Sequence, residues 1–313
     1  MENMKAVRVH NYGGPELQFE DAPRPTPGSD ELLVRVHAAS VNPIDWKVRA
    51  GYMKDYIPLP LPFIPGWDVS GVVEALGSGV TKFKKGDEVY SRPDVARKGE
   101  GAYAEYVVVK ESETAQAEVT RPCSRRCHSC GRGDSVAGFI RHGRAEERPN
   151  RIDPWRSRRR GQLRRPTREM EGSARDRDSI RPESGVSPGM GVDEPIDYER
   201  TRFEDVVHDV DVVFDPIGGD TQKRSWKVLK KGGILVSIVA PPSADEAAKH
   251  GVRSAFLSAQ AGSSLLAELA ELADSGKIKP MVETVLPLSE ARKAHELNET
   301  GHARGKIVLK VAA

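Results

Sequence analysis

The sequence predicts an α/β protein in which a domain of short β-strands precedes a parallel sheet. Three observations carry this. Residues 4–110 hold short apolar or alternating runs separated by Gly- and Pro-containing turns, the spacing of a partly barrel-like β domain. Residues 191–240 instead read strand, helix, strand with glycine punctuation, the pattern of a parallel sheet with crossover helices. Residues 263–311 add two helical stretches and a closing strand.

Taken in order, Lys5–Val9 and Leu32–Ala38 alternate or run apolar, and Gly13-Gly14-Pro15 and Pro23–Gly28 are turns. Asn42, Asp45 and Lys47 open a polar turn after the second run. Val69–Leu76, Gly86–Tyr90 and Tyr103–Val109 continue the strand series. Val210–Phe214 is a buried strand that exits into Asp215-Pro216-Ile217-Gly218-Gly219. Thr221–Leu229 has helical spacing, Gly232-Gly233 stops it, and Ile234–Val239 is the next buried strand. Ser263–Ser275 is helical, as is Ser289–Leu297 with Ser289 as its N-cap, and Lys306–Val311 is the last strand.

A chain of 313 residues accommodates two domains of ordinary size. Its net charge of +2 hides an imbalance. Of 48 Lys and Arg and 46 Asp and Glu, residues 114–190 hold 18, all Arg, and 10, leaving 30 basic against 36 acidic elsewhere. That block also holds all three Cys, so disulfides take no part in the main fold and a reducing cytoplasm is expected. Met1–Lys5 leads straight into a strand with no apolar signal region, and no apolar run is long enough to span a membrane. The block contains only eight Leu, Ile, Val or Phe, too few to offset its ordering entropy. It therefore reads as disordered, in a place where a compact α/β domain has no room for a long structureless insert.

Several motifs are similar to the quinone oxidoreductase branch of the zinc-independent medium-chain dehydrogenase/reductase family. They are Val41-Asn42-Pro43-Ile44-Asp45-Trp46-Lys47, Pro65–Val73, Lys85–Tyr90, Gly101–Tyr106, Asp211–Gly219, Lys231-Gly232-Gly233 and Gly305–Leu309. The Trp46-Lys47 pair resembles the alkenal/enone reductase members most. The resemblance implies a GroES-like β-rich catalytic domain over residues 1–114, a Rossmann-type doubly wound sheet over 115–255, and a segment over 256–313 that returns to the first domain. It implies a quinone or enone as substrate and NADPH as cofactor, with NADH left open. Chemistry would take place in a cleft, and a homodimer is the common assembly. No membrane or specific nucleic-acid partner is expected.

The family carries a Gly-rich turn between the first strand and helix of its nucleotide domain, where the backbone approaches the pyrophosphate at a helix N-terminus. Here the Arg-rich stretch Arg151–Leu163 stands instead. Written in suitable synonymous codons and read one base later, Trp155–Gln162 becomes Gly-Ala-Ala-Gly-Gly-Val-Gly-Ser. The flanks permit a buried strand before it and an amphipathic helix after it. We read 114–190 as a segment translated out of frame, opening near Thr114 and closing near Met190, and expect the chain as written to bind NADPH poorly. The alternative is a non-catalytic or polyanion-binding derivative acting through the Arg-rich 121–181 block, which would show salt-sensitive retention on DNA or RNA.

The resemblance places Asn42 near the nicotinamide and the substrate carbonyl, where its amide would donate to a developing enolate oxygen. Lys47 would do the same or supply a proton, and Asp45 would cap or position. The bland reading is a helix-starting turn with a solvated lysine. Ile217, Gly218, Ile238 and Val239 follow buried strands and are expected to touch the cofactor, since ligands of open α/β sheets bind beyond strand C-termini. Lys306 is expected to reach a phosphate or to lie solvated on the last strand. Tyr52 is expected to pack, and Trp67 to be core or cleft wall. Zinc-dependent relatives use a Cys and a Gly-His-Glu unit; here Asn42 and Gly66-Trp67-Asp68 occupy those positions, and no metal is expected. Cys123, Cys127, His128 and Cys130 mimic a metal cluster and Arg132-Gly133-Asp134 an adhesion motif; both are taken as accidental.

Overall fold

The computed structural model describes residues 2–14, 16–117, 194–198, 200–257, 262–274, 277–278 and 280–311, with the backbone of Arg151–Ile152. The Cys and His cluster, the Arg-Gly-Asp motif, the Arg-rich run and most of the segment 114–190 read as out of frame lie outside the described residues. The chain divides into two compact units, Met1–Arg144 with Ala261–Ala313, and Ala145–Gln260.

In chain order the first unit begins with β1 (Asn3–Arg8), β2 (Gln18–Pro23), β3 (Glu31–Val41), α1 (Pro43–Arg49), β4 (Val69–Leu76), β5 (Glu88–Ser91), α2 (Val95–Lys98), β6 (Tyr106–Lys110) and β7 (Thr114–Gln116). The second unit contains β8 (Arg151–Ile152), α3 (Phe203–Val206), β9 (Val210–Asp215), α4 (Gly219–Ser225), β10 (Leu229–Ser237), α5 (Ala244–His250) and β11 (Arg253–Phe256). The chain then returns to the first unit with α6 (Ser263–Asp274), β12 (Val282–Pro287), α7 (Ala291–Glu299) and β13 (Lys306–Lys310).

β3 is the spine of the first unit. Its Leu, Val and Ala run is buried on both faces, which explains why the sequence there runs apolar instead of alternating. One edge pairs antiparallel with β4, and the other pairs with β6 and then β13. The sheet order β12-β13-β3-β4-β5-β7, with β6 also on β3, lets the C-terminal strands complete a sheet that the N-terminal ones begin. A core of Leu32, Val34, Val36, Val69, Val89, Tyr103, Ile307 and Leu309 fills it, joined by Ala291 and Ala294 from α7.

The second unit is a parallel sheet in the order β11-β10-β9-β8. Val210, Val213, Trp226, Val228 and Leu235 form its core. At the edge where the sequence lacks a family-like first strand, two residues, Arg151 and Ile152, pair parallel with Val212 and Val213.

Two local expectations are corrected. Gly232-Gly233 lies within β10, where the register against β9 shifts, because the helix already ends at Ser225 with a 3-10 turn over Trp226–Val228. Ser289 is not the cap of α7: a 3-10 turn over Leu288–Glu290 precedes the helix, and Glu290 takes the cap position. At Asn42-Pro43 the helix-starting reading holds, with Pro at the first position of α1. Among the described residues no helix is long and apolar enough to cross a membrane.

Candidate active site

Asn42 closes β3 and caps α1 in extended backbone, and it is fully buried. The strand register brings its partner. Ile307 of β13 pairs with Val41, so Lys306, one residue earlier, arrives beside Asn42. The Lys306 ammonium donates to Asn42 Oδ1 at 2.7 Å, and Asn42 Nδ2 donates to Asp68 Oδ2 at 2.6 Å. Asp68 immediately precedes β4, whose Val69 pairs with Ala39, so three strand ends deliver these side chains to one point. An ammonium only donates and a carboxylate only accepts, so the amide orientation is unambiguous. Among the described residues the amide nitrogen has one acceptor, Asp68, for its two protons.

Asp45 holds this arrangement from below. Its carboxylate accepts the Asn42 N–H at 2.6 Å and the Gly66 N–H at 3.0 Å, tying the helix start to the turn before Asp68. Gly66 has φ of 105°, and a Cβ there would lie 2.5 Å from Tyr103 Cδ1. Tyr103 is itself fully buried. Burial holds its phenol proton on well above the usual range, and the facing carboxylates Asp45 and Asp68 add to this. His295 of α7 packs edge-on against Tyr103 at 5.7 Å between centroids, and burial pushes its imidazole down to about 3, with the Arg49 charge contributing.

In the second unit, β9 ends at the buried carboxylate of Asp215. Its Oδ1 accepts the N–H groups of Ile217 at 3.0 Å and Gly218 at 2.8 Å, and Oδ2 accepts from the Gln222 amide at 2.8 Å. This carboxylate-capped turn presents Ile217 to solvent at 50% exposure. Beyond β10, Ile238 and Val239 stand 37% and 39% exposed. Gly218 has φ of 78°, and a Cβ there would lie 3.2 Å from Val239 Cγ1, which brings the two strand exits close together. Exposed apolar side chains around a bare backbone suit the flat face of a ring.

The structure thus brings Asn42, Asp45 and Lys306 together, and Ile217, Gly218, Ile238 and Val239 together. Lys306, expected on a phosphate or in solvent, is found on the Asn42 amide. Lys47 is half-buried with its ammonium 5.7 Å from the Trp46 ring centroid. Trp67 is core, packed with Val9, Val48, Phe63 and Val95. Tyr52 does not pack: it is 71% exposed and makes an edge-type ring contact with Trp46. Sequence reasoning missed Asp68, Tyr103 and Asp215 as working residues. Only Asp215, an Asp before a Pro and two Gly at a strand exit, carried a local signal.

Comparison with known proteins adds three findings. Residues 28–119 match the family described as the alcohol dehydrogenase GroES-like domain, and residues 190–309 match the one described as zinc-binding dehydrogenase. A chloroplastic NADPH-dependent alkenal/one oxidoreductase of Arabidopsis thaliana is 30% identical over 98% of this chain and 80% of its own length. Among solved structures, the quinone oxidoreductase from Coxiella burnetii is 27% identical with a TM-score of 0.76, over 99% of this chain and 100% of the other. A mycobacterial protein solved with NADPH is 25% identical with a TM-score of 0.74, over 98% of this chain and 99% of the other.

Proposed function

The chain belongs to the medium-chain dehydrogenase/reductase family of oxidoreductases, and from that premise we propose that it reduces quinones or α,β-unsaturated carbonyls with NADPH and without zinc. The observation that carries this reading is the Asn42 amide, buried and oriented, with one proton that no described residue is seen to accept beside the one that Asp68 takes. Reduction of an enone drives negative charge onto the carbonyl oxygen. A donor already aimed at that oxygen needs no reorganisation when the charge forms, and removing one such donor costs about 10²–10³ in kcat.

NADPH supplies, when bound, the hydride and leaves as NADP⁺. In an enone the new C–H bond forms at the β-carbon, the C=C pair shifts to make an enolate, and a solvent proton completes the α-carbon. In a quinone one hydride and one proton give the hydroquinone. Asn42 steadies the oxygen in both cases. Lys47, on the same helix, is the second candidate donor, and Asp45 positions Asn42 through its backbone N–H. Ile217, Gly218, Ile238 and Val239 would hold the nicotinamide end against apolar side chains. NADPH over NADH, a cytoplasmic setting and a homodimer belong to this proposal as well.

The residues do not fit zinc. That ion takes thiolate, imidazole or carboxylate ligands in a tetrahedral set. Asn42 Oδ1 is already engaged by an ammonium, Trp67 offers no lone pair, and Asp68 alone remains of the positions that zinc-dependent members use. A dication there would also face the Lys306 charge. Among the described residues no group of three or more His, Cys, Asp or Glu side chains comes together elsewhere.

The test has two arms. The chain as written should show weak NADPH binding by nucleotide fluorescence; micromolar affinity would contradict the expected impairment. The protein with its reading frame restored over 114–190 should oxidise NADPH with a quinone or an alkenal in the presence of a chelator. No turnover with either acceptor, or turnover abolished by the chelator, ends the proposal.

A further inference from the structure

We propose that Lys306 is a positioning residue that, with Asp68, turns the Asn42 amide into a polarised donor, a fixed positive charge taking the place that a metal ion would otherwise fill. The inference rests on the reading that Asn42 stabilises a carbonyl oxygen. It adds which residue makes that donor strong.

The geometry is a three-membered chain. Lys306 Nζ lies 2.7 Å from Asn42 Oδ1, and Asn42 Nδ2 lies 2.6 Å from Asp68 Oδ2. A cation on the amide oxygen favours the resonance form with negative oxygen and positive nitrogen. Both N–H bonds of that nitrogen then become stronger donors. One is spent on Asp68, which fixes the plane of the amide. The other has no acceptor among the described residues, and it is the one assigned to the substrate oxygen. Hydrogen bonds in such chains reinforce one another, and the effect is larger where water is excluded; Asn42 and Asp68 are both buried. Lys306 comes from the opposite end of the chain, 264 residues away, and its placement follows from the pairing of β13 with β3. An ordinary solvated lysine on a terminal strand would have no reason to stop on a buried amide.

The experiment uses the full chain and two readouts. The first needs no cofactor. In ¹⁵N-labelled protein the Asn42 side-chain amide is identified by its loss in Asn42→Ser. Its two protons should resonate far apart and downfield of ordinary asparagine. Lys306→Met should collapse that separation, and Lys306→Arg should largely restore it. An Asn42 signal at the ordinary position, unchanged in Lys306→Met, overturns the proposal. The second readout uses the frame-restored enzyme. Lys306→Met should lower kcat on an enone by about tenfold to a hundredfold, the range for a charge-assisted bond, with NADPH affinity unchanged and partial rescue by Lys306→Arg. Unchanged kcat, or a loss confined to NADPH affinity, overturns it. Should no acceptor be reduced while the amide signature is present, the oxidoreductase reading fails and the polarised amide stands. Turnover that ignores Lys306→Met is the reverse case. If Lys306→Met does not fold, the wild-type amide signal and Lys306→Arg decide the matter alone.

Discussion

Replacing Asp45 by Ala should loosen the start of α1 and the Gly66 turn together, because one carboxylate serves both. In the native state it accepts the Asn42 N–H at 2.6 Å and the Gly66 N–H at 3.0 Å, and all three residues are buried. Alanine offers no acceptor. Each buried N–H left without a partner costs about 1–3 kcal/mol, so the pair costs about 4 kcal/mol. Out of a total stability of about 5–15 kcal/mol this is a large fraction. At about 1.4 kcal/mol per tenfold, amide exchange over 41–49 and 66–69 should quicken by about 10³, provided reclosing is faster than chemical exchange. Exchange followed by mass spectrometry on peptides from these segments reads the first unit alone, which a whole-chain melt does not. Asp55→Ala, at an exposed site, is the control and should change exchange by less than about threefold. A similarly small change in Asp45→Ala would mean that solvent or a neighbour satisfies both N–H groups, and the clamp argued here would be wrong.

Gly66→Ala should cost at least about 2 kcal/mol, from the left-handed backbone and from a methyl forced against Tyr103, and exchange of peptides covering 66–69 should quicken accordingly. His295 should make stability pH-dependent. Its folded value of about 3 lies below the unfolded value of about 6.5, so its contribution is complete above pH 6.5 and is lost as pH falls toward 3. Between pH 7 and pH 5 this amounts to about 2 kcal/mol, and His295→Leu should lack that portion in denaturant titrations at the two pH values. Equal slopes in both proteins would refute it. Asp215→Ala frees the N–H groups of Ile217 and Gly218 and should weaken NADPH binding of the frame-restored protein by about tenfold, measured by nucleotide fluorescence; unchanged affinity would detach this turn from the cofactor.

The β-rich first domain and the parallel sheet after it were readable because their strands obey local rules, whereas their GroES-like and Rossmann-type identity came from the motif resemblance. Val69–Leu76 is found with the bounds expected, and Val210–Phe214 extends by only one residue. β2, by contrast, passed unnoticed. Its Gln18–Pro23 sequence is mostly polar, and it is a strand because β1 pairs with it along its whole length. β10 was shortened for the same kind of reason: two glycines read as a stop, yet tertiary pairing carries the strand through them with a register shift. Local signals located the elements, and long-range pairing decided the ambiguous ones.

The site divides along the same line. Asn42 and Asp45 share one helical turn, so the spacing of one motif nearly contains their hydrogen bond. Lys306 was visible only as a lysine at the head of a terminal strand, for which a phosphate was as good a partner as any. What sets its partner is the antiparallel register that pairs Ile307 with Val41, and register is a property of two strands, not of either sequence alone. A one-residue slip of β13 would put Ile307 beside the amide and turn the apolar face of Val308 outward. The burial of Ile307, Val308 and Leu309 therefore does more than fill the core: it is the force that keeps the ammonium on Asn42. Hydrophobic patterning at one end of the chain and a capping motif near the other are each ordinary, and the chemistry arises only where the sheet makes them neighbours.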